Sequence, residues 1–264
     1  MRARVITALV GVPLLVLLIA IGRPWHFSLL VLGVTFIALR EYYRIVFPAH
    51  PKGRILGLVL GFSVAIGMIV PQRVDPAFVL AVSLLATFIV YLLVGGKLNT
   101  RFEHLTWTLL GTLYISFFVP HFVLLYSLEN GKDWVFLILL VIMSGDTAAY
   151  FVGRRYGKRK LASEVSPNKT VEGAWASVGG SLVVGLIAGK YLLPGLHITE
   201  IAFVALVLNV LGQHGDLFES WVKRVFLVKD SGALLPGHGG ILDRIDSLIF
   251  PTVFTTYYVR LLHS

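Results

Sequence analysis

The chain has 264 residues, 56% of them apolar and 14% charged, with a mean hydropathy of +0.82. A soluble domain carries about 25% charged residues, so lipid is the expected solvent for most of this surface. The absence of cysteine excludes disulfides, thiolate metal sites and a cysteine nucleophile, and the isoelectric point near 9.9 is read as membrane topology and attraction to anionic headgroups, with no nucleic-acid partner.

A helix needs about 20 apolar residues to cross the hydrocarbon core. Nine stretches qualify, at roughly 5–22, 27–47, 54–71, 76–95, 105–127, 134–152, 173–193, 199–221 and 241–262. The first resembles a signal peptide, but it lacks a small-x-small cleavage site and another apolar run follows at once, so it is read as a span. Between the stretches stand loop residues: Arg23-Pro24, Pro48 to Pro51, Pro71 to Pro76, Gly95 to Arg101, Glu129 to Asp133 and Pro194-Gly195, with longer polar loops at 153–172 and 222–240. Pro13 and Pro251 are expected to bend their helices.

Charge orients this arrangement. With the N-terminus in the cytoplasm, alternation places 18 of the 23 basic residues inside, the bias expected of a multi-pass membrane protein. The expected fold is therefore an all-α integral membrane protein of about nine transmembrane helices, N-terminus cytoplasmic and C-terminus on the opposite side. Residues 1–139 form about five N-terminal spans, and residues 140–264 carry the chemistry.

Nine of the 14 acidic residues lie between Asp146 and Asp246. Ionisable groups inside spans cost about 2.5–3.5 kcal/mol at a helix centre on insertion scales and tend to mark function. Asp146 ends an apolar run, Asp216 and Glu219 close the eighth span, and Asp243 and Asp246 open the ninth. Each of the last two pairs is spaced i,i+3 and shares a helix face. Ser220 and Lys223 continue the Asp216 face. The topology places all five carboxylates near the cytoplasmic boundary. Such a set repels itself unless cations neutralise it, and hard oxygen ligands suit Mg²⁺ bridged to substrate phosphates. The alternative is interfacial caps and salt bridges with Lys223, Arg224 and Arg244.

Pro236-Gly237-His238-Gly239-Gly240 precedes the ninth span, where glycines and a helix N-terminus make a phosphate cradle plausible chemistry. Lys169 and Glu172 lie beside the seventh span, and Ser166-Pro167 suits a helix N-cap and first turn. Glu41, between Arg40 and Arg44, reads as an interfacial ion pair.

Residues 220–246 carry Ser220, Lys223, Arg224, Lys229, Asp230, Gly232, the 236–240 run, Asp243, Arg244 and Asp246. This stretch resembles the signature of phosphatidate cytidylyltransferases. Gly215-Asp216-Leu217, Ser144-Gly145-Asp146-Thr147 and Ser166 to Gly173 resemble further blocks of that family, with a departure at Asn168 where the pattern has lysine. The N-terminal half agrees in hydropathy alone. The resemblance implies that CTP and phosphatidic acid give CDP-diacylglycerol and pyrophosphate, with Mg²⁺ as cofactor, a second cation allowed, in a homodimer; the charge topology places this chemistry at the cytoplasmic face of the cell inner membrane. It implies Asp216, Asp243 and Asp246 as metal ligands. Lys223, Arg224, Lys229, Asp230, His238 and Arg244 join them in catalysis, and Ser220, Gly239, Gly240, Lys169, Glu172 and Asp146 bind substrate. The rivals are a CTP-dependent polyprenol or phytol kinase and an ion-coupled transporter.

Overall fold

Proline punctuates the helices of the computed structural model, which describes residues 2–70, 74–234 and 239–263, with residues 2–10 and 12 described for their backbone alone. The helices are α1 (Arg2–Ile21), α2 (Pro24–Val46), α3 (Pro51–Ile69), α4 (Pro76–Leu93), α5 (Leu98–Gly111), α6 (His121–Tyr126), α7 (Gly131–Tyr156), α8 (Val171–Leu192), α9 (Ile198–Val225) and α10 (Leu242–Leu262). A π-helical segment, Thr112–Phe117, joins α5 to α6. Pro24, Pro51 and Pro76 open α2, α3 and α4, where a missing N–H costs nothing and φ is already helical. Pro13 and Pro251 lie inside helices that run on through them.

The predicted apolar stretches fall mainly on helix, the fifth also containing a turn at 118–120. Among the described residues, six helical stretches are long and apolar enough to cross a membrane: Pro51–Ile69, Pro76–Leu93, Leu98–Tyr126, Gly131–Tyr156, Val171–Leu192 and Ile198–Val225. The fifth predicted span is interrupted by the π-helical segment. One turn before it, the Trp107 and Thr108 carbonyls accept hydrogen bonds from Tyr42 Oη (3.0 Å) and Tyr43 Oη (3.2 Å).

The chain forms two compact units, Met1–Leu124 with Asp230–Asp243, and Leu125–Lys229 with Arg244–Ser264. In the first, α2 packs on α3, and Gly57 and Gly111 leave room for the rings of Tyr43 and Tyr42. Val64, Met68 and Leu124 form an apolar cluster against Val79 and Phe117.

In the second unit, α8 buries Gly173, Ser177, Ser181, Gly185 and Gly189, one small residue per turn. Small residues let membrane helices approach closely, and a Cβ on Gly180, Gly185 or Gly189 would meet Ala148, Ala205 or Ile201. The opposite face presents Trp175, Val183, Ile187 and Tyr191, all exposed. Glu200 at the start of α9 accepts from Tyr258 Oη (2.5 Å) and pairs with His263 (2.6 Å) near the end of α10, so these two helices run antiparallel.

One local expectation is corrected. Ser166-Pro167 does not cap a helix: Ser166–Thr170 is a strand, β2, paired antiparallel with β1 (Lys160–Ala162). Thr170 takes the cap instead. Its extended backbone (φ −123°, ψ 153°) turns the chain into α8, and its hydroxyl accepts from Gly173 N.

Candidate active site

Within the second unit, three elements deliver charge to one cleft of about 590 Å³. Asp146 comes from α7, Lys169 from β2 and Asp216 from α9, and all three line the cleft. Lys169 Nζ lies 2.8 Å from Asp216 Oδ2, and Ser220, one turn along α9, donates to Asp216 Oδ1 at 3.3 Å. Asp146 feels the charges of Asp216 and Lys169. Two carboxylates in mutual reach need a cation to stay ionised together, and the ammonium supplies one positive charge.

Asp246 on α10 is 7% exposed, accepts from Ser247 N at 2.7 Å, and feels Asp216, Lys223 and Lys169. Gly215 allows this crossing, because a Cβ there would strike the Asp246 carbonyl. Glu219 and Lys223 form a buried ion pair, at 2% and 10% side-chain exposure. Asp216 thus interacts electrostatically with both Asp146 and Asp246 in this unit, while the Glu219 carboxylate is engaged by Lys223.

Other expected residues hold the polypeptide. Arg224 donates to Val165 O (3.2 Å) and Val228 O (2.9 Å), fastening the end of α9 to the β1–β2 turn. Glu172 accepts from the Lys158 and Arg159 amides (3.0 and 3.2 Å) and lies 3.5 Å from Arg159 Nε. Lys229, Asp230 and Arg244 are exposed. His238 lies outside the described residues.

Below the cleft is a polar ladder that the sequence reading missed. Gln213, a cleft-lining residue, donates to Asn209 Oδ1 (2.7 Å). Asn209 Nδ2 donates to Ser177 Oγ and Ser181 Oγ, both at 2.7 Å, and Ser181 Oγ to Val141 O. The signal was available. Asn209, Gln213, Asp216 and Ser220 follow one another at i+4, i+3 and i+4, a polar stripe on an apolar helix.

In the first unit the loop before α10 is organised by two carboxylates. Asp243 accepts from Ser231 N (Oδ2, 2.9 Å) and Gly240 N (Oδ2, 2.8 Å). Glu41, expected to pair with Arg40 and Arg44, is instead 6% exposed, and both arginines are exposed on α2. Its carboxylate accepts from Ile241 N (3.1 Å), Leu242 N (2.9 Å) and Ser231 Oγ (3.1 Å). The reason is register. Glu41 falls on the α2 face that buries Ala38, Tyr42 and Ile45, and the amides opening α10 satisfy a buried anion as a surface arginine cannot. Of the phosphate cradle expected at 236–240, residues 236–238 lie outside the described residues, and the Gly240 amide, like those of Ile241 and Leu242, is donated to a side chain of the protein.

Among the described residues no three His, Asp or Glu side chains group closely enough to form a metal site by themselves.

Fold and site together define a multi-pass membrane enzyme with an ionic cleft. The chain belongs to the cytidylyltransferase family, matched over residues 2–262, and is a nucleotidyltransferase. It is 35% identical to a phosphatidate cytidylyltransferase of Synechocystis sp., over 98% of this chain and 96% of that one. It is 32% identical to one of Bacillus subtilis, over 99% and 98%. With one of Brucella suis it shares 46% identity over 54% of this chain and 53% of that one.

Proposed function

We propose that the protein transfers the cytidylyl group of CTP to phosphatidic acid, giving CDP-diacylglycerol and pyrophosphate. The observation that carries this reading is the cleft in which Lys169 meets Asp216 beside Asp146, in a chain whose relatives over nearly their whole length are phosphatidate cytidylyltransferases.

The phosphate monoester of phosphatidic acid is already a nucleophile at neutral pH, so no strong base is required. One of its oxygens bonds to the α-phosphorus of CTP, the α–β phosphoanhydride bond breaks, and pyrophosphate leaves. The chain's task is to hold two anions together and to stabilise the charge that develops. Lys169 brings positive charge to the cleft, Ser220 orients the Asp216 carboxylate, and the Gln213–Asn209 ladder fixes the cleft floor.

The donor set fits Mg²⁺. Its oxygens are hard, a lysine ammonium already stands at Asp216 as a cation does, and Mg²⁺ typically takes one or two carboxylates and completes its shell with water and substrate phosphate. Asp216 and Asp246 are the residues that would hold it, with Asp146 beside them. When bound, the ion supplies charge neutralisation to the transferring phosphoryl group. Asp243, with its carboxylate engaged by backbone amides, has the part of holding its loop.

The bias of basic residues supports nine spans with the N-terminus in the cytoplasm, the cleft on the cytoplasmic side of the inner membrane, and lipid reaching it from the bilayer. A homodimer belongs to the same reading. Purified protein supplied with CTP, Mg²⁺ and vesicles containing phosphatidic acid is expected to release pyrophosphate in proportion to CDP-diacylglycerol formed. Release without phosphatidic acid, or no liponucleotide, would refute the assignment.

A further inference from the structure

Glu41 lies in the N-terminal half of the chain, yet its carboxylate accepts three hydrogen bonds from residues 190 to 201 positions later. The groups it engages are Ser231 Oγ and the amides of Ile241 and Leu242, at the two ends of the loop before α10. The packing is close. A Cβ on Gly232 or on Gly240 would run into the Glu41 carboxylate, and Gly239 adopts φ +78°, a left-handed conformation that disfavours side chains. Asp243 closes the arrangement from the other side, taking the amides of Ser231 and Gly240 and donating its own to Ser231 Oγ at 3.3 Å.

We propose that Glu41 is a positioning residue of the nucleotidyl-transfer reaction, acting as the internal anion that ties Ser231 to the Ile241 and Leu242 amides opening α10. The proposal rests on the function proposed above for its kinetic arm alone. Three features carry it. The carboxylate is buried and its partners are amides and a hydroxyl, so its charge serves the helix N-terminus of α10. The glycines at 232 and 240 make space for this side chain. And the engaged segment holds Asp230, Gly239, Gly240 and Asp243, the residues whose pattern singled out the loop. Glutamine in its place presents one acceptor where two oxygens now accept, and turns an N–H donor toward donors.

The test compares Glu41→Gln and Glu41→Ala with Arg40→Ala and Arg44→Ala in purified, detergent-solubilised full-length protein. Two readouts are taken on the folded fraction, well below each variant's melting temperature. The first is amide hydrogen exchange of the peptide containing Ile241 and Leu242, which needs no activity. The second is kcat and KM for CTP. Both Glu41 variants are expected to exchange faster in that peptide and to lose about 10- to 100-fold in kcat, the scale of a small misplacement of reacting groups, while the arginine variants match the parent. Unchanged exchange, or faster exchange with kcat intact, would overturn the proposal. A parent enzyme without cytidylyl transfer would refute the functional reading, and the exchange rates alone would then decide whether Glu41 anchors the loop. If Glu41→Ala does not fold, Ser231→Ala removes one of the three bonds, and an exchange rate equal to the parent's would count against it.

Discussion

Lys169 Nζ stands 2.8 Å from Asp216 Oδ2, so the strand β2 and the helix α9 meet through one ion pair at the rim of the cleft. Both side chains remain partly open, at 25% and 34% exposure. A pair so placed contributes little to stability and is free to exchange partners with an incoming phosphate.

Lys169→Met and Asp216→Asn are each expected to lower kcat/KM for CTP by about 100-fold or more, the scale of removing one charge-stabilising group. The double variant should be little worse than the poorer single variant, because groups that act as a unit are not additive. A double-mutant cycle on pyrophosphate release checks this, and multiplicative losses would mean that the two act separately.

The buried Glu219–Lys223 pair predicts a stability effect instead. Lys223→Met leaves a buried carboxylate without its ammonium, at a cost of about 3–5 kcal/mol. Glu219→Gln combined with Lys223→Met should recover most of the loss. Thermal unfolding in detergent reads both, and a single variant as stable as the parent would show that the pair is dispensable.

Gly145 on α7 faces the polar ladder, and a Cβ there would press on Ser177, Ser181 and Asn209. Gly145→Ala should destabilise by about 1–3 kcal/mol through overpacking and lower activity by tilting Gln213 at the cleft floor. Val183→Ala, on the exposed face of α8, should do neither. Thermal unfolding and pyrophosphate release measured side by side on the two variants check this.

Chelation should abolish turnover, and added Mg²⁺ should restore it. In Asp216→Asn or Asp246→Asn the half-saturating Mg²⁺ concentration is expected to rise about tenfold or more, since losing even an outer-shell partner of a ligand costs about 10- to 100-fold in metal affinity. Titration of activity against free Mg²⁺ is the measurement, and an unchanged midpoint would remove these residues from the metal's shell.

Helix placement was legible because apolar length and proline both act locally: Pro24, Pro51 and Pro76 open helices where the sequence breaks. Asp146, Asp216 and Asp246 were legible as charges that lipid would not tolerate without purpose. Ser166-Pro167 misled because the dipeptide is equally at home in an extended strand, and pairing with Lys160–Ala162 decided between the two. Glu41 misled because neighbours in sequence were taken as neighbours in space, whereas helical register turned its side chain inward. The Lys169–Asp216 contact had no local signal, since tertiary folding alone brings β2 to α9.

Supplying the purified protein with Mg²⁺, phosphatidic acid in vesicles, and CTP labelled on either the α- or the γ-phosphorus tests the central claim most directly. Cytidylyl transfer sends the α label into the lipid and the γ label into pyrophosphate. A γ label recovered in the lipid fraction, with CDP released, would contradict it and identify a lipid kinase.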